Sequence, residues 1–224
     1  MTFSPANKQF NATALGIRVA GVGANLGHQA GNTVFSAGDV PGAITRLTVA
    51  QFNALSPADL RAAYDVLIVT WASNASLNVD WNSRLLPYLQ LGGGIIYDGD
   101  PNNIGDVSAI VSASVTNIGG ESASGIGVTA SVPGLTTGIT GFFDNNHIEF
   151  ATFPSWNAAL SPFLGFTSGP NAGAVVGLYG RFGAGCIVLT GPDQDFHATK
   201  GGSINEANQY NLLVNEIRFV RRCP

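Results

Sequence analysis

Charge is scarce in this chain: 11% of its 224 residues are Asp, Glu, Lys or Arg, under half of the roughly 25% usual in soluble domains. Lysine occurs twice, as Lys8 and Lys200, and Asn, Ser, Thr and Gly supply the polar surface. That bias fits an extracellular or cell-surface protein better than a cytosolic enzyme. A net charge of −4 without a basic cluster argues against a nucleic-acid partner, because Lys and Arg at the phosphates supply most of such affinity. The single basic run, Arg218 with Arg221 and Arg222, falls where a final helix should end and complements its dipole. No segment reaches the roughly 18 consecutive apolar residues that a membrane span requires, so no span is expected. The opening MTFSPANKQF lacks a basic start followed by an apolar stretch, so it is not expected to act as a secretory signal.

What the chain does have is apolar material, 45% of its residues, enough for one substantial core and against disorder. No linker-like composition divides it and no repeat period is visible, so residues 1–224 are expected to form one domain. GIRVAGVG (16–23) predicts a buried strand followed by a long loop, and a second apolar pattern covers 43–49. Ser56 followed by Pro57 starts a short helix, and 65–70 is an unbroken apolar strand, as expected when helices cover both faces of a parallel sheet. Residues 80–91 place Trp81, Leu85, Leu86 and Leu89 at helical spacing and stop at three glycines, after which IIYDGD forms another strand. The Ser/Thr/Gly-rich stretch 107–141 suggests short strands or ordered loops. Residues 174–191 form two strands around a turn at 181–185. The chain closes on a long helix with Ile204, Ala207, Tyr210, Leu213, Ile217 and Val220 along its inner stripe. This succession predicts an α/β fold with a central, mostly parallel sheet, flavodoxin-like in type, with a β-leaning insertion around 107–141. Ligands of such sheets bind outside the carboxyl ends of the strands.

Three segments, AAYDVLIVTW, LLPYLQLGGGIIYDGD and YGRFGAGCIVLTGPDQDFHA with the helix after it, resemble in order and spacing the class I glutamine amidotransferase-like superfamily across about two thirds of the chain. GLTTGITG is similar to a segment found before the last strands of such domains. The resemblance implies a cysteine nucleophile on a sharp turn after the strand at 95–99, and a histidine after the late strand to activate it. This chain has Tyr97 and Asp98 at the first place and Gly191-Pro192-Asp193-Gln194-Asp195 at the second. The family's nucleophile and base are both absent, which argues against glutamine hydrolysis.

The same resemblance brings Asp98 and Asp100 at one strand end beside Asp193, Asp195 and His197 at another. Carboxylates crowded together are relieved by protonation, by water or by a bound cation. Asp98-Gly-Asp-Pro-Asn102 alternates oxygen donors in the manner of a calcium loop, though it lacks the glycine and final glutamate of an EF-hand. Asp98, Asp100, Asn102, Asp193 and Asp195 are therefore the expected calcium ligands. The alternative is a solvated turn and cap arrangement without an ion. Trp71, at a strand's end, is the tryptophan placed to stack on a ligand, with Asp98, Asp193 and His197 around it, whereas Trp81 reads as core. His28 would reach the same face, and His147 reads as a surface turn. Cys186 begins the strand leading to Gly191, and the helix after it must run back, returning Cys223 near that strand's start. A disulfide is one reading, two unpaired thiols the other.

The leading functional expectation is a non-catalytic amidotransferase-like domain of an exported protein, a pseudoenzyme serving binding or assembly, with calcium at the former active-site face and another copy, an extracellular protein or a glycan as partner. The rivals are a hydrolase working through carboxylates or a metal-bound water at that face, and a self-assembling subunit of a filament or surface layer, for which low charge leaves ample surface to bury.

Overall fold

The computed structural model describes residues 16–22, 34, 36–70, 81–98, 113, 116–119, 125–143, 149–192, 194 and 198–222. Its frame is a nine-stranded sheet. Strands β1 (Ile17–Val22), β2 (Gly42–Leu47), β3 (Val66–Thr70), β4 (Gly94–Asp98) and β11 (Gly185–Thr190) run parallel in the order β2-β1-β3-β4-β11. The first four reproduce the doubly wound order whose switch point lies between β1 and β3. An antiparallel extension follows, β10 (Val175–Phe182), β9 (Leu160–Phe166), β6 (Gly125–Val128) and β7 (Phe142–Phe143). β5 (Thr116–Gly119) and β8 (Glu149–Thr152) pair separately. The expected α/β architecture is present. The segment at 107–141 contributes β5, β6 and an ordered turn in which Thr136 Oγ1 accepts from the Val132 N–H at 2.9 Å.

The parallel strands are continuous apolar runs because both faces are covered. Alternate residues separate cleanly, with Val19, Ile68, Ile96 and Val188 on one face and Ala20, Leu67, Val69, Ile95, Tyr97, Ile187 and Leu189 on the other. Three short helices cover the second face. α1 (Val49–Ala54) opens on a capping box in which Thr48 and Gln51 exchange side-chain-to-backbone bonds at 2.8 and 3.1 Å, and it contributes Phe52. α2 (Pro57–Ala63) is capped by Ser56, whose Oγ accepts from the Asp59 N–H at 3.1 Å, and it contributes Leu60. α3 begins as a π turn (Trp81–Leu85) and becomes α-helical at Leu86–Gln90. Pro87 has no N–H for the carbonyl four residues back, which accounts for the irregular ladder there. The chain then turns at Gly92, whose φ of +88° suits glycine. Gly93 is required because a Cβ would lie 2.1 Å from the Tyr88 ring.

The first face is covered by α4 (Ile204–Arg222), which buries Tyr210, Leu213, Ile217 and Val220 as its apolar spacing requires. Ile204 departs from the expected stripe, being 72% exposed at the first turn of the helix. α4 leaves the carboxyl end of β11 and runs back along the sheet. A Cβ on Gly94, at the start of β4, would meet Val220 near the helix's other end at 2.8 Å. The basic run does end this helix, and Arg218 also donates to the Asp39 carbonyl.

β10 and β11 form a hairpin whose turn is shorter than expected. The strands extend to Phe182 and Gly185, and the two residues between them begin with Gly183 at φ +63°. Cys186 at the start of β11 is buried and disulfide-bonded. Cys223 lies outside the described residues. Trp156 packs partly buried against the second-face core, and the Trp81 side chain falls outside the description.

Candidate functional site

The carboxyl ends of β4 and β11 lie side by side, with Asp98 and Thr190 in register. Both side chains project from the α4 face, continuing the alternation of Ile96 and Val188, and both are fully buried. Thr190 Oγ1 donates to Asp98 Oδ1 at 2.9 Å. Gln194, also fully buried, completes the contact. With its amide nitrogen turned inward it donates to Asp98 Oδ1 at 3.2 Å and to Thr190 Oγ1 at 3.1 Å. One carboxylate oxygen thus takes two neutral donors, which fix the side chain in place.

Glu216, on α4, is the group that sequence reasoning missed. It is fully buried, and among the described residues neither of its oxygens has a hydrogen-bond partner. Burial first, and the charge of Asp98 second, push its carboxyl well above the usual range. Two turns earlier on the same helix face is Gln209, 2% exposed, whose Oε1 also has no hydrogen-bond partner among the described residues. The signal is present in the sequence: in NLLVNEIRFV, Glu216 stands three residues after Leu213 and four before Val220, within the apolar stripe itself.

Of the residues expected to form the site, Asp98 is the one described. Trp71, Asp100, Asn102, Asp193, Asp195, His197, His28 and His147 lie outside the described residues. The adjacency of β4 and β11 brings together the two strand ends from which the acidic candidates were expected to converge. Among the described residues no group of three or more His, Cys, Asp or Glu could hold a metal ion.

Two other polar constellations bear on the frame. At the amino ends of the parallel strands, Arg18 clasps Asp65 through Nε and Nη2 at 3.2 and 2.8 Å, with Arg61 at 3.3 Å. Burial would raise the Asp65 carboxyl, but the side-chain and backbone hydrogen bonds from Arg18 prevail and hold it below the usual range. Beside α4, Asp39 pairs with Lys200 at 2.8 Å and accepts from the Tyr210 hydroxyl at 2.6 Å, along a groove of about 390 Å³ that Arg218 also lines. Lys200 first and Tyr210 second lower the Asp39 carboxyl.

No family model matches the chain, and no curated protein matches it by sequence. Solved structures do. A cytoplasmic protein of Salmonella typhimurium LT2 superposes with a TM-score of 0.66 at 10% identity, over 91% of this chain and 99% of that one. A GMP synthase subunit of Thermoplasma acidophilum gives 0.61 at 14% identity, over 92% and 94%. PurLQS of Thermotoga maritima gives 0.51 at 12% identity, over 89% and 98%. At these identities the likeness concerns the path of the chain alone, and it establishes an α/β fold of the glutamine amidotransferase-like type.

Proposed function

We propose that this chain is a non-catalytic amidotransferase-like domain whose carboxyl-end face serves binding or assembly. The carrying observation is the state of Asp98, at the place where the resemblance expects a nucleophile. It is a carboxylate sealed from solvent, with Oδ1 engaged by Thr190 and, with its amide turned inward, by Gln194. A nucleophile must be presented to substrate and activated by a neighbouring base. Asp98 is instead held by donors, which fixes its position and lowers its reactivity.

The binding reading carries with it a hard cation such as calcium on the acidic run Asp98, Asp100, Asn102, Asp193 and Asp195, with Trp71 and His197 beside it. Oxygen-only donors of this kind suit calcium over transition metals. The assembly reading is supported by β2, an edge strand of the main sheet whose residues Gly42, Ala43, Thr45 and Arg46 are exposed. The disulfide at Cys186 supports an oxidising, extracellular setting. Its partner in this reading is Cys223, closing a loop of about 37 residues and contributing about 3–4 kcal/mol.

Thermal unfolding of metal-stripped protein, with and without calcium, tests the binding reading. An ion at about 100 times its dissociation constant adds about 2.7 kcal/mol, a rise of several degrees. The rise should disappear in the double variant Asp98→Asn with Asp193→Asn. No rise in the unaltered protein sinks the cation. Light scattering tests assembly, and a persistent monomer at high concentration counts against it.

A further inference from the structure

The groove of about 390 Å³ beside α4 is walled by four parts of the chain that are distant in sequence: Asp39 from the segment before β2, the turn at 132–140, Lys200 from the segment before α4, and the helix itself. Asp98 is not among its lining residues. On α4, Asn211, Asn215 and Arg218 follow one another at helical spacing and so stand on one flank. The walls are fixed to each other. Asn215 Nδ2 donates to the carbonyls of Leu135 at 3.1 Å and Thr137 at 2.9 Å, which ties the turn to the helix. Tyr210, only 4% exposed, donates its hydroxyl to Asp39 at 2.6 Å and ties the helix to the segment before β2. The cavity is therefore formed by the fold before anything enters it.

Its chemistry is one-sided. Asp39 Oδ2 accepts from Lys200 Nζ at 2.8 Å and from the Tyr210 hydroxyl, and the Asp39 carbonyl accepts from the Arg218 guanidinium. Both cationic heads thus gather on the same residue, and Asp39 is the only carboxylate that lines the groove with them. Two cations against one carboxylate leave one positive charge uncompensated. Asp39 is already engaged at its carboxylate and at its carbonyl, whereas Lys200 and Arg218 each spend a single N–H on it and keep the rest. The groove presents donors in excess, and a ligand that satisfies them must bring acceptors and negative charge.

We propose that this groove is a second ligand site, separate from the carboxyl-end face, which binds the oxyanion of a small molecule between Lys200 and Arg218. Arg218 supplies a planar fork that takes two oxygens of a carboxylate or a phosphate, and Lys200 supplies a point charge that either group satisfies. The exposed Asn211 amide lies on the same flank for a further polar group of the ligand. Asp39 is the positioning residue, because it holds both cationic heads at the groove. Volume decides the class of ligand: about 390 Å³ falls at the lower end of cavities that take small molecules.

Nitrogen-15 NMR of the whole protein tests this, with inorganic phosphate and acetate titrated separately at neutral pH against chloride of equal ionic strength. The Arg218 Nε–H and Gly201 amide signals should move along a saturating curve with at least one oxyanion and stay in place with chloride. Saturation by acetate alone assigns a carboxylate ligand, and saturation by phosphate alone assigns a phosphorylated one. Lys200→Gln and Arg218→Gln should each weaken binding by about tenfold, the effect of losing a charged hydrogen bond. Should Arg218→Gln fail to fold, Lys200→Gln decides, since the Lys200 side chain is 47% exposed and its loss leaves the packing intact. Shifts that never saturate with either oxyanion, shifts that chloride reproduces, or unchanged affinity in Lys200→Gln overturn the proposal. The double variant Asp98→Asn with Asp193→Asn should bind the oxyanion as the unaltered protein does. Loss of binding there overturns the second site, whereas the calcium response of the carboxyl-end face is read separately and leaves it standing.

Discussion

Thr190 Oγ1 and Asp98 Oδ1 meet at 2.9 Å across two parallel strands that are neighbours in the sheet and 92 residues apart in the chain. That bond joins the two strand ends on which an amidotransferase-like domain is expected to place its nucleophile and its base. Here they hold each other.

Thr190→Val removes the donor and leaves the shape. The Asp98 carboxylate then keeps its burial with one fewer partner, which costs about 1–3 kcal/mol. Urea unfolding should show the loss as a lower midpoint at unchanged slope.

Gly94→Ala probes the fit of α4 on the sheet. The new methyl would lie 2.8 Å from Val220 Cγ2 and from the Val220 carbonyl oxygen, so the helix must shift outward. Overpacking of this kind costs about 1–3 kcal/mol. Amide hydrogen exchange should accelerate along α4 more than in α1 and α2.

Arg18→Ala acts at the opposite end of the strands. The Asp65 carboxyl is held low by Arg18, so that contribution is present above the ordinary carboxylate value and is lost as pH falls through the folded-state value. The Arg18 side chain is half exposed, which limits the effect to about 0.5–1 kcal/mol. The variant and the unaltered protein should differ at neutral pH and converge in acid.

Thr48→Ala removes one half of the α1 capping box and should cost about 1 kcal/mol. Circular dichroism during denaturant unfolding measures it.

What can be read from the chain depends on what each segment faces. β1, β3, β4 and β11 are plain in the sequence because strands covered on both sides must be unbroken apolar runs. α1 is hard to see because VAQFNA is six residues long with one buried side chain, Phe52, and its strongest signal is the Thr48–Gln51 pair. β9 is hidden because LSPFLGF contains Pro162 and Gly165, which weaken a strand pattern, and it holds through antiparallel partners distant in sequence. Asp98 is recognisable from its place after an apolar strand. Glu216 is harder to find, because a helical stripe is traced through its apolar members and a carboxyl inside it is passed over, and the same spacing takes in Ile204, which is exposed. Periodicity gives the face of a helix, and the neighbouring sheet decides how far along the helix that face is covered.

The proposed non-catalytic reading of this face requires that Asp98, buried and held by Thr190, is not a reacting group. Incubation with glutamine and with an electrophilic glutamine analogue, followed by ammonia measurement and intact mass spectrometry, puts that to the test. No ammonia above the uncatalysed rate and no covalent adduct are expected. Turnover that Asp98→Asn abolishes, or an adduct mapped to Asp98, would refute it and restore the face as an active site.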